Sequence, residues 1–295
     1  MIKKLKNSGV FWLLVSGFAF SLMQVFIKLT SEAVTVFMQV MFRNMVGVAI
    51  AAVILKKENN SWFGTKEQQP ALFGRSIAGF LGLIFYFLAS RMASSIADAT
   101  IVNRTGPFFT TLFSVLFLKE KTTPVQWVAL VVVFLGGVVA ANPTFDSAAI
   151  PMLFAFGSAV ANGVAYTMLA YFRGKVPTMT VVMHFSVFSV LAALPFVIAD
   201  FAMPTAMDFV MLVMIALLGS LGQISITVAY RLAPASEISI FDQLSVVMSV
   251  VFGWMFLGQT PGLHTLLGGT IVIVASVWIF YYNKNRHRLA ASQPK

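Results

Sequence analysis

Ten apolar runs follow one another along the chain, each close to the roughly 20 residues that carry a helix across a bilayer. They lie at about residues 10–30, 35–55, 71–90, 94–118, 125–141, 149–171, 179–199, 207–229, 236–257 and 265–282. The segments between them are short and hold helix breakers and charge: KKENNSWFGTKEQQP, KEKTTP, NPTFDSAA, FRGKVPT, RLAPA and GQTPG. No soluble domain fits in such gaps, so the pattern predicts an all-α integral membrane protein. The opening MIKKLKNSGVFWLLV starts like a signal peptide, but its apolar run is about 20 residues long and has no A-x-A site. It reads as a first membrane helix that is retained.

Composition supports this reading. Hydrophobic residues make up 59% of the chain and charged residues only 10%, against about 25% charged in soluble domains. The net charge of +10 would suggest nucleic acid in a soluble protein, and its placement says otherwise. With the N-terminus inside, sixteen of the 20 Lys and Arg gather on the inner side: Lys3, Lys4, Lys6, Lys56, Lys57, Lys66, Arg75, Lys119, Lys121, Arg173, Lys175, Arg231, Lys284, Arg286, Arg288 and Lys295. Only Arg91 is outside, while Lys28, Arg43 and Arg104 fall within spans, and Glu32, Asp146, Asp200 and Asp208 lie outside. This is the positive-inside pattern of ten helices with both termini cytoplasmic. The expected location is the cytoplasmic (inner) membrane, multi-pass, with no nucleic-acid partner. Without cysteine there is no disulfide scaffold and no thiolate metal site.

The chain is also duplicated. GFLGLIFYFLASRMA (79–93) set beneath GSLGQISITVAYRLA (219–233) matches at seven of fifteen positions: Gly79, Leu81, Gly82, Ile84, Ala89, Arg91 and Ala93 meet Gly219, Leu221, Gly222, Ile224, Ala229, Arg231 and Ala233. With one residue deleted, the register runs on so that FLKEK at 117 meets FLGQT at 256. Residues 1–142 then form a first five-helix repeat, and 143–295 a second, ending in a basic cytoplasmic tail. Five is odd, so the second copy enters the membrane from the opposite side, as inverted repeats of transporters do.

The Phe42-Arg43 pair in the second span, ADATIVNRTGPFFTTLFSVLFLKE through the fourth, FLGGVVA closing the fifth and the five-plus-five order together resemble the EamA-type branch of the drug/metabolite transporter superfamily. The resemblance covers essentially the whole chain. It implies two inverted five-helix repeats around a central cavity, and secondary transport of small organic molecules, often as export, without ATP and without a cofactor. The chain accordingly has no G-x-x-x-x-G-K-[ST] loop. It departs from the usual Gly-Glu after the fourth and ninth spans, carrying Lys119-Glu120 and Gly258-Gln259 there, so no paired glutamate role carries over.

Polar residues inside the spans mark the candidate site. Arg104, about ten residues into the fourth span, sits roughly 15 Å deep, where a guanidinium must face protein, water or a partner. Asp98 is about 120° away around the same helix and is not that partner. In the repeat register Asn103 and Arg104 meet Asp242 and Gln243, which predicts either a midplane binding site at the repeat interface or a buried Arg104–Asp242 pair that only fixes packing. Arg43 aligns with His184, Gln24 and Lys28 lie one turn apart, and so do Asn162 and Tyr166. Tyr86 and Gln223 complete the expected lining, while Lys28 near the outer end reads as a snorkelling lysine. The predicted substrate-binding set is Gln24, Arg43, Tyr86, Asn103, Arg104, Asn162, Tyr166, Gln223, Asp242 and Gln243, with Asp98 and His184 as candidates for proton coupling. The Gly79/Gly82 and Gly219/Gly222 pairs read as close-packing points.

The expected partners are a small-molecule metabolite, the lipid bilayer and, as a coupling ion, protons, in a monomer or dimer. An excess of cations in the core favours an amino acid, a related zwitterion or an organic acid, carried by alternating access as an exporter. The alternatives are an importer of a vitamin or cofactor-type metabolite and, in another class, a non-transporting scaffold or a membrane enzyme. The chain has no H-E-x-x-H, no G-x-S-x-G and only three His, of which His264 and His287 lie outside the membrane core.

Overall fold

The computed structural model describes residues 9–119, 122–141, 149–232 and 244–292. Among these residues there are ten apolar helices and no strand; seven are long and apolar enough to cross a membrane and three have shorter apolar stretches. They are α1 (Gly9–Leu29), α2 (Val36–Glu58), α3 (Gln69–Met92), α4 (Ile96–Leu118), α5 (Pro124–Ala141), α6 (Ala149–Tyr171), α7 (Thr178–Ala199), α8 (Ala206–Leu232), α9 (Leu244–Leu257) and α10 (Leu263–Ser292). All ten coincide with the runs predicted from hydropathy. Local chemistry sets the boundaries: the Thr35 hydroxyl accepts from Met38 N to start α2, and Asn59 ends it in the left-handed conformation at φ 52°.

The helices pair by a rule. α1 packs along α8 and α6 along α3; α9 packs on α1 as α4 does on α6; α2 packs along α7, and α5 along α10. Exchanging each helix with the one five places away maps this set of pairings onto itself. That is the mark of two five-helix halves, which the odd helix count inverts relative to one another. Large apolar side chains such as Phe117, Leu153, Ile198 and Trp254 point outward, each more than 60% exposed, as suits a surface dissolved in lipid rather than water. Inside, Met23, Ile27, Val40, Ile84, Phe87, Phe185 and Ile215 form the largest core, joining helices of both halves.

α4 is not continuous. Its first part, Ile96–Asn103, stops at Arg104 and a second part runs Gly106–Leu118. Pro107 has no N–H to give to the preceding turn. Thr105 N instead bonds Val102 O (3.1 Å) and Phe108 N bonds Thr105 O (3.0 Å), tightening the chain where α5 crosses it at Gly137.

Both ends of the bundle are tied. At the basic end, Arg173 Nη2 donates to Tyr230 O (3.1 Å), Arg231 Nη1 to Thr178 Oγ1 (2.6 Å) and Gln68 Nε2 to Lys175 O (3.0 Å). At the far end, Asp208 accepts from Ser31 N and Ser31 Oγ, both at 2.8 Å. Arg91 donates to Val34 O and Ser31 O, and Lys28 to Ala93 O. Lys28 is therefore a tie between α1 and the α3–α4 turn, where its sequence position suggested snorkelling.

Candidate functional site

A cavity of about 650 Å³ of empty space, part of it open to solvent, lies between the two halves. Its walls come from α1, α2, α3, α4, α6, α7 and α8, and its polar lining is Arg43, Arg75, Arg104, Asn103, Asn162, Tyr86, Tyr166 and Gln223. Among the described lining residues there is no carboxylate.

Two of these arginines, Arg43 and Arg75, are held by backbone, amide and ring contacts. Arg43, 3% exposed, reaches from α2 to α8, where Nη2 lies 3.5 Å from Gly219 O and 3.3 Å from Gln223 Oε1. Its guanidinium carbon stands 5.8 Å from the Phe20 ring centroid. Arg75, 2% exposed, lies over Phe185 with its guanidinium carbon 4.2 Å from the centroid, an arrangement that attracts the cation to the ring without neutralising it. In both, Nε and Nη1 are buried with no hydrogen-bond partner. Buried donors are nearly always satisfied, so these four nitrogens stand out as exceptions. Arg104 enters the cavity from the break in α4.

The four repeat-matched glycines explain how these side chains fit. A Cβ on Gly219 would lie 2.6 Å from Arg43 Cγ, one on Gly79 2.5 Å from Arg75 Nη1, one on Gly82 2.5 Å from Asn162 Oδ1, and one on Gly222 2.5 Å from the Phe20 ring. The expectation of close-packing points is thus refined: each glycine seats a cavity-lining side chain. Neutral groups are knitted as firmly. Asn103 Nδ2 (2.8 Å) and Asn162 Nδ2 (3.1 Å) both donate to Ser158 Oγ, which donates to Gly82 O at 2.7 Å.

Of the residues predicted from sequence, Arg43, Tyr86, Asn103, Arg104, Asn162, Tyr166 and Gln223 come together around this cavity. Three lie elsewhere. Gln24 is buried in a polar cluster toward the far end, its Oε1 3.0 Å from Thr100 Oγ1 and its Nε2 3.5 Å from Ser249 Oγ. Asp98, in the first turn of α4, accepts from Thr265 Oγ1 on α10. His184 faces Ser76, with Nδ1 2.9 Å from its Oγ, and packs edge-on against Phe73; its neighbour Phe185 takes the place on the cavity wall. Asp242 and Gln243 lie outside the described residues. Arg75 is the residue missed from sequence: counted among the inner-side charges, it is in fact in the second turn of α3 and fully inside the bundle. Its signal was Gly79 four residues on, which leaves the space its side chain fills.

The two-half architecture and cavity point to a duplicated transporter fold, and comparison with known proteins decides the family. The model of the EamA-like transporter family matches residues 7–141 and again 149–281. This chain belongs to that family. Among its relatives, the pseudopaline exporter CntI of Pseudomonas aeruginosa is 28% identical over 94% of this chain and 97% of its own length. Solute carrier family 35 member G1 of Homo sapiens is 27% identical over 91% of this chain and 77% of its own, and a riboflavin transporter of Vibrio cholerae is 24% identical over 97% of both. A solved crystal structure superposes with a TM-score of 0.65 over 89% of this chain and 94% of that one, at 18% identity, which shows a common fold. The EamA-like chain is a multi-pass membrane protein of a transporter family, and these relatives are named as transporters or solute carriers.

Proposed function

We propose that this EamA-like protein is a secondary exporter of a small carboxylate-bearing metabolite, an amino acid relative or organic acid, working by alternating access in the cytoplasmic membrane with both termini inside. The two inverted repeats, 1–142 and 143–295, would rock against one another around the cavity between them. The observation that carries the reading is the cavity itself, with two buried guanidinium groups seated on aromatic rings and keeping unpartnered nitrogens. A planar carboxylate matches the guanidinium fork better than any other common metabolite group. The hydrogen-bonded ties at both ends of the bundle support two alternating gates. Export is supported by the CntI relative, whose name gives pseudopaline as its cargo. The riboflavin relative supports transport in general, but a neutral ring system would leave the arginines uncompensated.

Reconstitution into liposomes tests the proposal. Saturable flux of a carboxylate without ATP, with counterflow of labelled substrate, is expected of a carrier. Flux without counterflow would indicate a channel and would contradict alternating access, while chemical conversion of the solute or no flux of any would contradict transport.

A further inference from the structure

Resting on that reading, we infer that the cavity takes a ligand with at least two anionic groups, one for Arg43 and one for Arg75. The expected class is a dicarboxylate or a richer anion, not a simple amino acid. The first ground is the state of the two side chains. Each is buried, each keeps Nε and Nη1 without a partner, and each rests on an aromatic ring rather than on an acid. One carboxylate can occupy one fork, which leaves the second guanidinium as an uncompensated charge in the membrane interior.

The second ground is that they are anchored on different helices. Arg43 hangs from α2 against Gly219 and Gln223 of α8, beside Phe20 of α1. Arg75 hangs from α3 over Phe185 of α7. The two arginines therefore hang from different helices and reach one cavity from different anchors.

The third ground is how each arginine is seated. Gly219 and Gly79 occupy matched places in the two halves, and each leaves room for its arginine: a Cβ there would lie 2.6 Å from Arg43 Cγ and 2.5 Å from Arg75 Nη1. Asn162 and Gln223 between the walls offer hydrogen bonds to a neutral or amino-bearing middle, and Arg104 adds a third cation at the α4 break.

The test is binding to the purified full chain, read by calorimetry, of unbranched diacids from malonate to adipate, each beside its monoamide and diamide. At one chain length the diacid should bind about ten- to a hundredfold tighter than its monoamide, as one charge-assisted pair is worth. Arg43→Gln and Arg75→Gln should each bring the diacid down to the monoamide's affinity and change the monoamide much less. Arg43→Lys and Arg75→Lys, which keep the charge, should retain a weaker diacid preference, and melting temperatures will identify any variant that fails to fold. Diacid and monoamide binding alike at every length, or undetectably at every length, would overturn the two-anion site. So would glutamine variants that weaken both ligands equally. The carboxylate reading itself fails only if monoamide and diamide are also indistinguishable.

Discussion

Gly219 of α8 faces Arg43 of α2 so closely that one added carbon would lie 2.6 Å from the arginine's Cγ and Nε. Cγ is near the root of the side chain and cannot move aside without shifting α2, so Gly219→Ala should displace the guanidinium or part the helices. We expect a loss of about 1–3 kcal/mol of stability, typical of overpacking, with carboxylate binding falling further than the melting temperature alone implies. At Gly79 the nearest atom is the tip of Arg75, which can swing, so Gly79→Ala should spare stability and weaken binding. Thermal melts and calorimetry on the two variants check both. Equal stability losses would show that the glycines serve helix packing alone.

Arg104 owes its place to a break in its own helix. Pro107→Ala restores an N–H that can bond back toward Asn103 and make α4 continuous. The melting temperature should hold or rise, while transport falls on the order of tenfold or more as Arg104 turns away, since shifts of about 1 Å in a site suffice for such losses. Unchanged transport would remove the break from the mechanism.

Asp98 accepts a hydrogen bond from Thr265 across the α4–α10 seam, away from the cavity. Asp98→Asn keeps an acceptor there and abolishes titration; Asp98→Ala removes both. If proton coupling runs through this seam, the Asn variant should bind substrate normally and lose its response to an imposed pH gradient. The Ala variant should be less stable as well. A gradient response preserved in Asp98→Asn would assign the residue to closing the far end only.

The chain has no cysteine, so single ones report sidedness cleanly. Trp62 lies in the α2–α3 loop and Met203 in the α7–α8 loop, both exposed. Trp62→Cys should react with an impermeant maleimide only from inside and Met203→Cys only from outside. Reaction of both from one side would refute the ten-helix topology.

Hydropathy made the ten helices legible because each span must satisfy its backbone within itself, so length and apolarity suffice to find it. Helix rotation is another matter. Gln24 and His184 look like lining residues from sequence, yet Gln24 satisfies its amide on Thr100 and Ser249, and His184 pairs with Ser76. A polar residue in a span needs a partner, and nothing in one sequence says whether that partner is a ligand or a neighbouring helix. Arg75 was lost for the opposite reason: a short distance from the polar KEQQP segment, it reads as an interfacial cation until packing shows it covered by Phe185. Gly79 and Gly219 were found as a repeat, but that each makes room for an arginine is visible only once α2 lies against α8 and α3 against α7.

The central claim is that buried arginines in a cavity between inverted halves select an anion. Its most direct test is proteoliposome uptake of an amino acid, its carboxyl-amide analogue, a diacid and a lipophilic cation, in wild type and in Arg43→Gln. Wild type should prefer carboxylates to the amide, take the diacid best and reject the cation, and Arg43→Gln should lose the diacid preference. Uptake of the amide or the cation equal to or above that of the carboxylates would contradict the account.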